Sequence, residues 1–157
     1  MAIHPRQSGA VAVGDPVPEV TLPDQDGTPV PLSSFRGRWL VVYFYPADDS
    51  PGCTKESCAF RDAYEDFTDL GAEVVGISGD SADSHRAFAE RHRLPFTLLA
   101  DTEGEAKKAF GVKASLGLLP GRTTYVIDPD GVVRKVFSSQ LQFSRHHREA
   151  LEAIRSA

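Results

Sequence analysis

Residues 39–45 read WLVVYFY, seven consecutive apolar side chains with no polar alternation. A strand open to water on one face alternates in polarity, whereas one covered on both faces is apolar throughout. This run therefore predicts the central strand of a sheet with helices on both sides. The residues that follow, 46–53 (PADDSPGC), begin with a proline that ends the strand and lead through Ser50-Pro51-Gly52 into a helix that carries Cys53 near its start.

Outward from that strand, residues 73–77 and 97–100 are shorter apolar runs of the same kind. Residues 123–127 and 132–137 flank Asp128-Pro129-Asp130-Gly131, a turn sequence that predicts an antiparallel hairpin. Helical spacing appears between the strands. Ala59, Phe60, Ala63, Tyr64 and Phe67 recur at three- and four-residue intervals, and Gly71 follows as a stop. A second helix is expected from near Ser81 to His92, a third over residues 103–110, and a last one after Ser144 that buries His147, Leu151 and Ile154. Residues 19–22, with Asp26-Gly27 behind them, predict a small N-terminal hairpin. Strands alternating with helices give a largely parallel sheet, and the late hairpin adds antiparallel strands. The expected fold class is α/β, and the order is compatible with a thioredoxin-like mixed central sheet flanked by helices, with an N-terminal hairpin extension. A single domain is expected over residues 14–157, behind a flexible tail of residues 1–13.

The chain has 157 residues, 41% hydrophobic and 25% charged, with a net charge of -5 and only two cysteines. Lys and Arg are scattered without a basic run, which argues against a nucleic-acid partner. No apolar stretch reaches the length of a membrane span. The first residues, with His4, Arg6 and Gln7, are too weakly apolar for a secretory signal. Few cysteines in an acidic chain without such a signal lead to a cytoplasmic expectation, where disulfides are transient and catalytic or sensing.

Both cysteines lie in the stretch YPADDSPGCTKESCAFRD (residues 45–62), five positions apart. A thiol at a helix start sits at the positive end of the helix dipole, which favours the reactive thiolate. Five residues along an ideal helix separate the two Cα atoms by roughly 8.6 Å, beyond the limit of about 7 Å for a disulfide. If both are helical when reduced, oxidation to a bridge requires that turn to unwind. Pro51 and Gly52 permit close approach to the first turn and leave the amides of Gly52 and Cys53 free to face a polar oxygen. Ser50 is near enough to hydrogen-bond the sulfur or an oxygen bound to it, and Pro46 can wall off water. Asp48 and Asp49 would oppose a thiolate and are expected to point into solvent. Arg122, just before a predicted strand, is the candidate compensating cation.

The pattern Pro46-x-x-x-Ser50-x-x-Cys53, with an arginine opening a later strand, resembles the active site of peroxiredoxins. The longer stretch resembles the bacterioferritin-comigratory-protein/PrxQ subfamily, and the similarity extends over residues 14–15, 32–35, 74–80, 94–101 and 121–131. Serine at position 50 departs from the commoner threonine but keeps the hydroxyl. The resemblance implies Cys53 as peroxidatic nucleophile and Cys58 as resolving thiol, joined by a redox disulfide. It also implies Ser50 and Arg122 as groups that orient the peroxide, Pro46 as a shield, and Glu56 as an ion-pair partner that holds an arginine. Peroxide is the implied substrate and thioredoxin, or glutaredoxin, the implied reductant, with no metal or organic cofactor and a monomeric state.

Two other readings share the same residues. A thiol–disulfide oxidoreductase would use this fold, although Ser50-Pro51-Gly52-Cys53 lacks the first sulfur of a C-x-x-C motif. A redox-sensing module would use the Cys53–Cys58 chemistry without turnover. The five histidines carry no expected function. His85 and His92 read as half-buried helix residues, and His146 and His147 as surface and partial packing. A zinc site built on the cysteine pair lacks a second pair of ligands.

Overall fold

The computed structural model of the chain describes residues 10–112, 122–139 and 142–157. The apolar run of residues 39–45 forms β3 (Trp39–Phe44), the middle strand of a five-stranded sheet in the order β5-β4-β3-β6-β7. Parallel neighbours β4 (Ala72–Ser78) and β5 (Thr97–Ala100) lie on one side of it. On the other side, β6 (Thr123–Ile127) and β7 (Val133–Ser138) pair antiparallel. The two short strands β1 (Thr21–Pro23) and β2 (Pro29–Pro31) form a separate hairpin.

Because successive strand residues face opposite sides, β3 feeds two cores. Val41, Tyr43 and Tyr45 join Cys53, Phe60, Phe67, Phe88 and Leu151 in one. Leu40, Val42 and Phe44 join Leu32, Leu99, Phe110 and Tyr125 in the other. Tyr43 fits only because its partner across the β3–β4 ladder is Gly76, where an added Cβ would lie 2.8 Å from the Tyr43 ring.

The helices are α1 (Pro51–Asp62), α2 (Tyr64–Asp69), α3 (Ala82–His92), α4 (Glu105–Phe110) and α5 (Arg145–Arg155). The single helix expected after Cys53 is two, broken at Ala63 (φ -97°, ψ 3°). The apolar spacing continues across the break because Phe60, Ala63 and Phe67 all enter the same core, so periodicity does not register it. Ser81 caps α3 by accepting from Ser84 N at 3.1 Å. On α5 the buried residues are His146, Ala150, Leu151 and Ile154, so His146 takes the inward position expected of His147. Val11 is buried and its amide donates to Phe110 O at 2.9 Å, so the chain is docked before Gly14. The rest of the expected tail, residues 1–9, lies outside the described residues, as does Gly121. No described helix is long and apolar enough to cross a membrane.

Candidate active site

β3 ends beside Pro46 and the chain turns through residues 46–50 into α1. Ser50 is the N-cap in extended conformation, but its Oγ donates to the Ala47 carbonyl (3.1 Å) and does not cap the helix. The first helical hydrogen bond is Thr54 N to Ser50 O (2.9 Å), so the amides of Gly52 and Cys53 precede it and face out of the helix start. Cys53 is fully buried in this first turn. Cys58 is half-buried on the same helix, and neither is in a disulfide. From beneath, Ser57 Oγ meets Tyr43 OH at 2.8 Å, and the Phe60 ring stacks on Tyr43 with centroids 4.4 Å apart. Pro46 lines a cleft with Phe44, Ile77, Gly79 and Lys107.

Antiparallel register brings Arg122 to the same edge. Phe44 pairs with Thr123, so the residue before Thr123 lies beside the chain leaving β3. The Arg122 guanidinium sits over the Phe143 ring at 4.8 Å, and Nη1 donates to Glu56 Oε1 at 2.7 Å. A Cβ at Gly52 would lie 2.5 Å from Phe143 Cε1 and 3.2 Å from Arg122 Nη2. Glycine is therefore what lets the cation and the ring close on the first turn. Arg122 is itself buried, and its Nε donor has no partner among the described residues.

Glu56 is fully buried, and burial drives its carboxyl up to about 8 against the pull of the Arg122 charge and hydrogen bond. Its Oε2 lacks a hydrogen-bond partner among the described residues and lies 3.4 Å from His146 Nδ1. His146 meets Thr124 Oγ1 at 2.7 Å and the Ser139 carbonyl at 2.9 Å. Burial lowers it to about 4, opposed by the Ser139 bond and reinforced by the Arg122 charge.

Asp48 corrects an expectation. Its side chain is turned inward and only 2% exposed. It accepts from Tyr45 OH (2.7 Å), Ser84 Oγ (2.8 Å) and His85 Nδ1 (2.8 Å), while its amide donates to Asp80 Oδ2 (2.8 Å). His85, also fully buried, directs Nε2 at the Leu99 carbonyl (3.0 Å). Burial would raise the Asp48 carboxyl, but the hydrogen bond and charge of His85 hold it below its ordinary value. Asp49 is the exposed one of the pair and meets Arg91. Ligand atoms of Asp48, Asp80 and His85 lie within 4.8 Å of one another, yet Asp48 and His85 are already bonded together and Asp80 is occupied by the Asp48 amide and Ser78 Oγ. We assign no metal there.

Sequence reasoning named Cys53, Cys58, Ser50, Gly52, Arg122, Glu56 and Pro46. It missed Phe143, Thr124 and His146 because the β6–β7 and α5 packing that assembles them leaves no local pattern.

Residues 13–136 match the AhpC/TSA family. The chain belongs to that family. Within it, the chain is a peroxiredoxin of the Q type. It is 55% identical to "Peroxiredoxin Q, chloroplastic" of Sedum lineare over 93% of this chain and 79% of that protein. It is 50% identical to the protein of the same name from Arabidopsis thaliana, over 92% and 67%. Among solved structures, peroxidoxin BcpB from Mycobacterium tuberculosis superposes with a TM-score of 0.86 at 43% identity, covering 93% of this chain and 97% of that one. Peroxiredoxin Q from Xanthomonas campestris superposes at 0.81 and 30% identity, covering 87% and 90%. A bacterioferritin comigratory protein structure from the same organism is described by that protein's alkyl peroxide reduction activity. The mixed sheet of this peroxiredoxin, flanked by helices and preceded by a hairpin, is thus the thioredoxin-like fold of its relatives. The cytoplasmic expectation is overturned, because the plant relatives are named as chloroplastic proteins. Cysteine usage reports the redox poise of a compartment, not which reducing compartment it is.

Proposed function

We propose that the protein is a thiol peroxidase with Cys53 as nucleophile and Cys58 as resolving thiol, acting on hydrogen peroxide and organic hydroperoxides. One observation carries this reading. A buried thiol in the first turn of α1 follows Gly52, against which a buried arginine packs, and the Nε donor of that arginine has no partner among the described residues.

The Cys53 thiolate attacks one oxygen of the peroxide, an S–O bond forms and the O–O bond breaks. Cys53 becomes a sulfenic acid, and the departing oxygen takes a proton to leave as water or an alcohol. Negative charge grows on that oxygen, and Arg122 with the amides of Gly52 and Cys53 is arranged to stabilise it. Ser50 helps to orient the peroxide, Pro46 and Phe143 limit water, and Glu56 fixes the guanidinium. Full burial of Cys53 means that peroxide reaches the sulfur as the surrounding side chains give way. The Cys58 sulfur then attacks the sulfenic sulfur, water leaves, and a Cys53–Cys58 disulfide forms. An external dithiol, thioredoxin or glutaredoxin, reduces that bridge by exchange and is itself oxidised. The protein acts as a monomer.

Mass spectrometry after one equivalent of hydrogen peroxide tests the assignment. Wild type should show an intramolecular Cys53–Cys58 bridge, Cys53→Ser no reaction, and Cys58→Ser a sulfenic acid trapped at Cys53. Undiminished peroxide consumption by Cys53→Ser would end it.

A further inference from the structure

His146 lies on the first turn of α5 and closes the back of the Arg122 cluster. Its Nε2 is 2.9 Å from the Ser139 carbonyl; a carbonyl only accepts, so Nε2 carries a proton. Its Nδ1 is 2.7 Å from Thr124 Oγ1 and 3.4 Å from Glu56 Oε2. That carboxyl oxygen is buried without a hydrogen-bond partner among the described residues. An ionised carboxylate facing a ring-nitrogen lone pair would be both unsatisfied and repelled. One proton on the pair removes the repulsion, whether it rests on Oε2 or on Nδ1.

We propose that Glu56 and His146 share one proton behind Arg122, and that this proton preserves the arginine's positive charge for the reacting centre. With the proton present the pair is neutral in either arrangement. When it leaves, the pair becomes an anion that cancels the guanidinium 2.7 Å away and adds negative charge one helical turn from Cys53. The titratable and charged groups around the pair are Arg122 at the start of β6, His147 on α5, Tyr43 on β3 and Cys53 on α1. Arg122 and His147 disfavour a cation on His146, and burial disfavours an anion on Glu56. Both push the proton toward the carboxyl, consistent with Glu56 raised to about 8 and His146 lowered to about 4. His146 touches no reacting atom; it is a positioning residue. The inference rests on Arg122 being the group that polarises the peroxide.

Two measurements on the full chain test it together. The first is the rate of the reduced protein with hydrogen peroxide by stopped flow from pH 6 to 9. The second is NMR of the Glu56 carboxyl carbon and the His146 ring nitrogens over the same range. In wild type both nuclei should follow one common titration, and the rate should fall about fivefold between pH 8 and pH 9 with it. Glu56→Gln fixes the pair in its neutral state, so the alkaline fall should vanish and His146 Nδ1 should stop responding there. His146→Asn supplies an amide that can donate to Oε2 and favour the carboxylate, so the fall should move to lower pH together with the carboxyl signal. A Glu56 carbon already ionised at pH 6 would overturn the proposal, and so would an alkaline fall that survives in Glu56→Gln. Should Arg122→Leu keep its full rate, the functional reading would fail instead, and the NMR titration would still decide whether the proton is shared.

Discussion

Asp48 and Glu56 are both buried carboxylates close to the cysteine-bearing helix, and each faces a histidine, yet they are satisfied to very different degrees. Both Asp48 oxygens are taken, by Tyr45, Ser84 and His85, and both His85 nitrogens face acceptors. The cluster is closed and behaves as scaffold: it ties the loop of residues 46–50 to α3. Around Glu56 two buried atoms have no hydrogen-bond partner among the described residues, its own Oε2 and Arg122 Nε. Native proteins leave few buried polar atoms unpaired, so the open donor of Arg122 fits the proposed role of this cluster in receiving the peroxide.

Asp48→Ala should break the closed cluster most severely. It leaves His85 buried without its hydrogen-bonded carboxylate, at a cost of about 3–5 kcal/mol, read from urea unfolding, and any loss of rate should track loss of folded protein. Arg122→Leu should do the reverse. The peroxide rate should fall about 10²–10³-fold with a smaller stability change than at Asp48, because the carboxyl it abandons can hold a proton. Equal destabilisation with an unchanged rate would erase the distinction between the clusters.

Acid titration should sharpen it next. His146 is held near 4, below its ordinary value of 6.5, so the unfolded chain binds that proton first as pH falls. Stability should therefore decline from about pH 6.5 to about 4, by roughly 3 kcal/mol in all. His146→Gln should flatten that slope in calorimetry. Glu56 acts in the opposite sense: its contribution is complete below its ordinary value and is lost as pH rises through about 8. The smallest effect is expected from Gly52→Ala. The new Cβ pushes Phe143 off Arg122, costing about 1–3 kcal/mol and slowing peroxide reduction, which a paired melt and rate measurement would show.

Local chemistry was legible in the sequence and assembled chemistry was not. The run in β3, the Ser81 cap of α3 and the Asp128-to-Gly131 turn each act over a few residues, and each forms where its pattern stands. Cys53, Gly52 and Ser50 were visible for the same reason. Asp48 and Asp49 look identical as a charged pair, and only the approach of α3 turns one inward and leaves the other in water. His146 and His147 are separated in the same way by what α5 packs against. The break at Ala63 carries no composition signal because both helices serve one apolar face.

In the proposed mechanism, oxidation of the cysteine pair is coupled to opening of helix α1. In the reduced protein both cysteines lie on the continuous helix α1, and the Ser57–Tyr43 bond and the Phe60–Tyr43 stack hold the intervening turn down. Amide hydrogen exchange across residues 54–61, compared between the reduced protein and the same protein after one equivalent of peroxide, reads that coupling directly. Protection should be high when reduced and largely lost when oxidised. Equal protection in the two forms, with the Cys53–Cys58 bridge present, would contradict it.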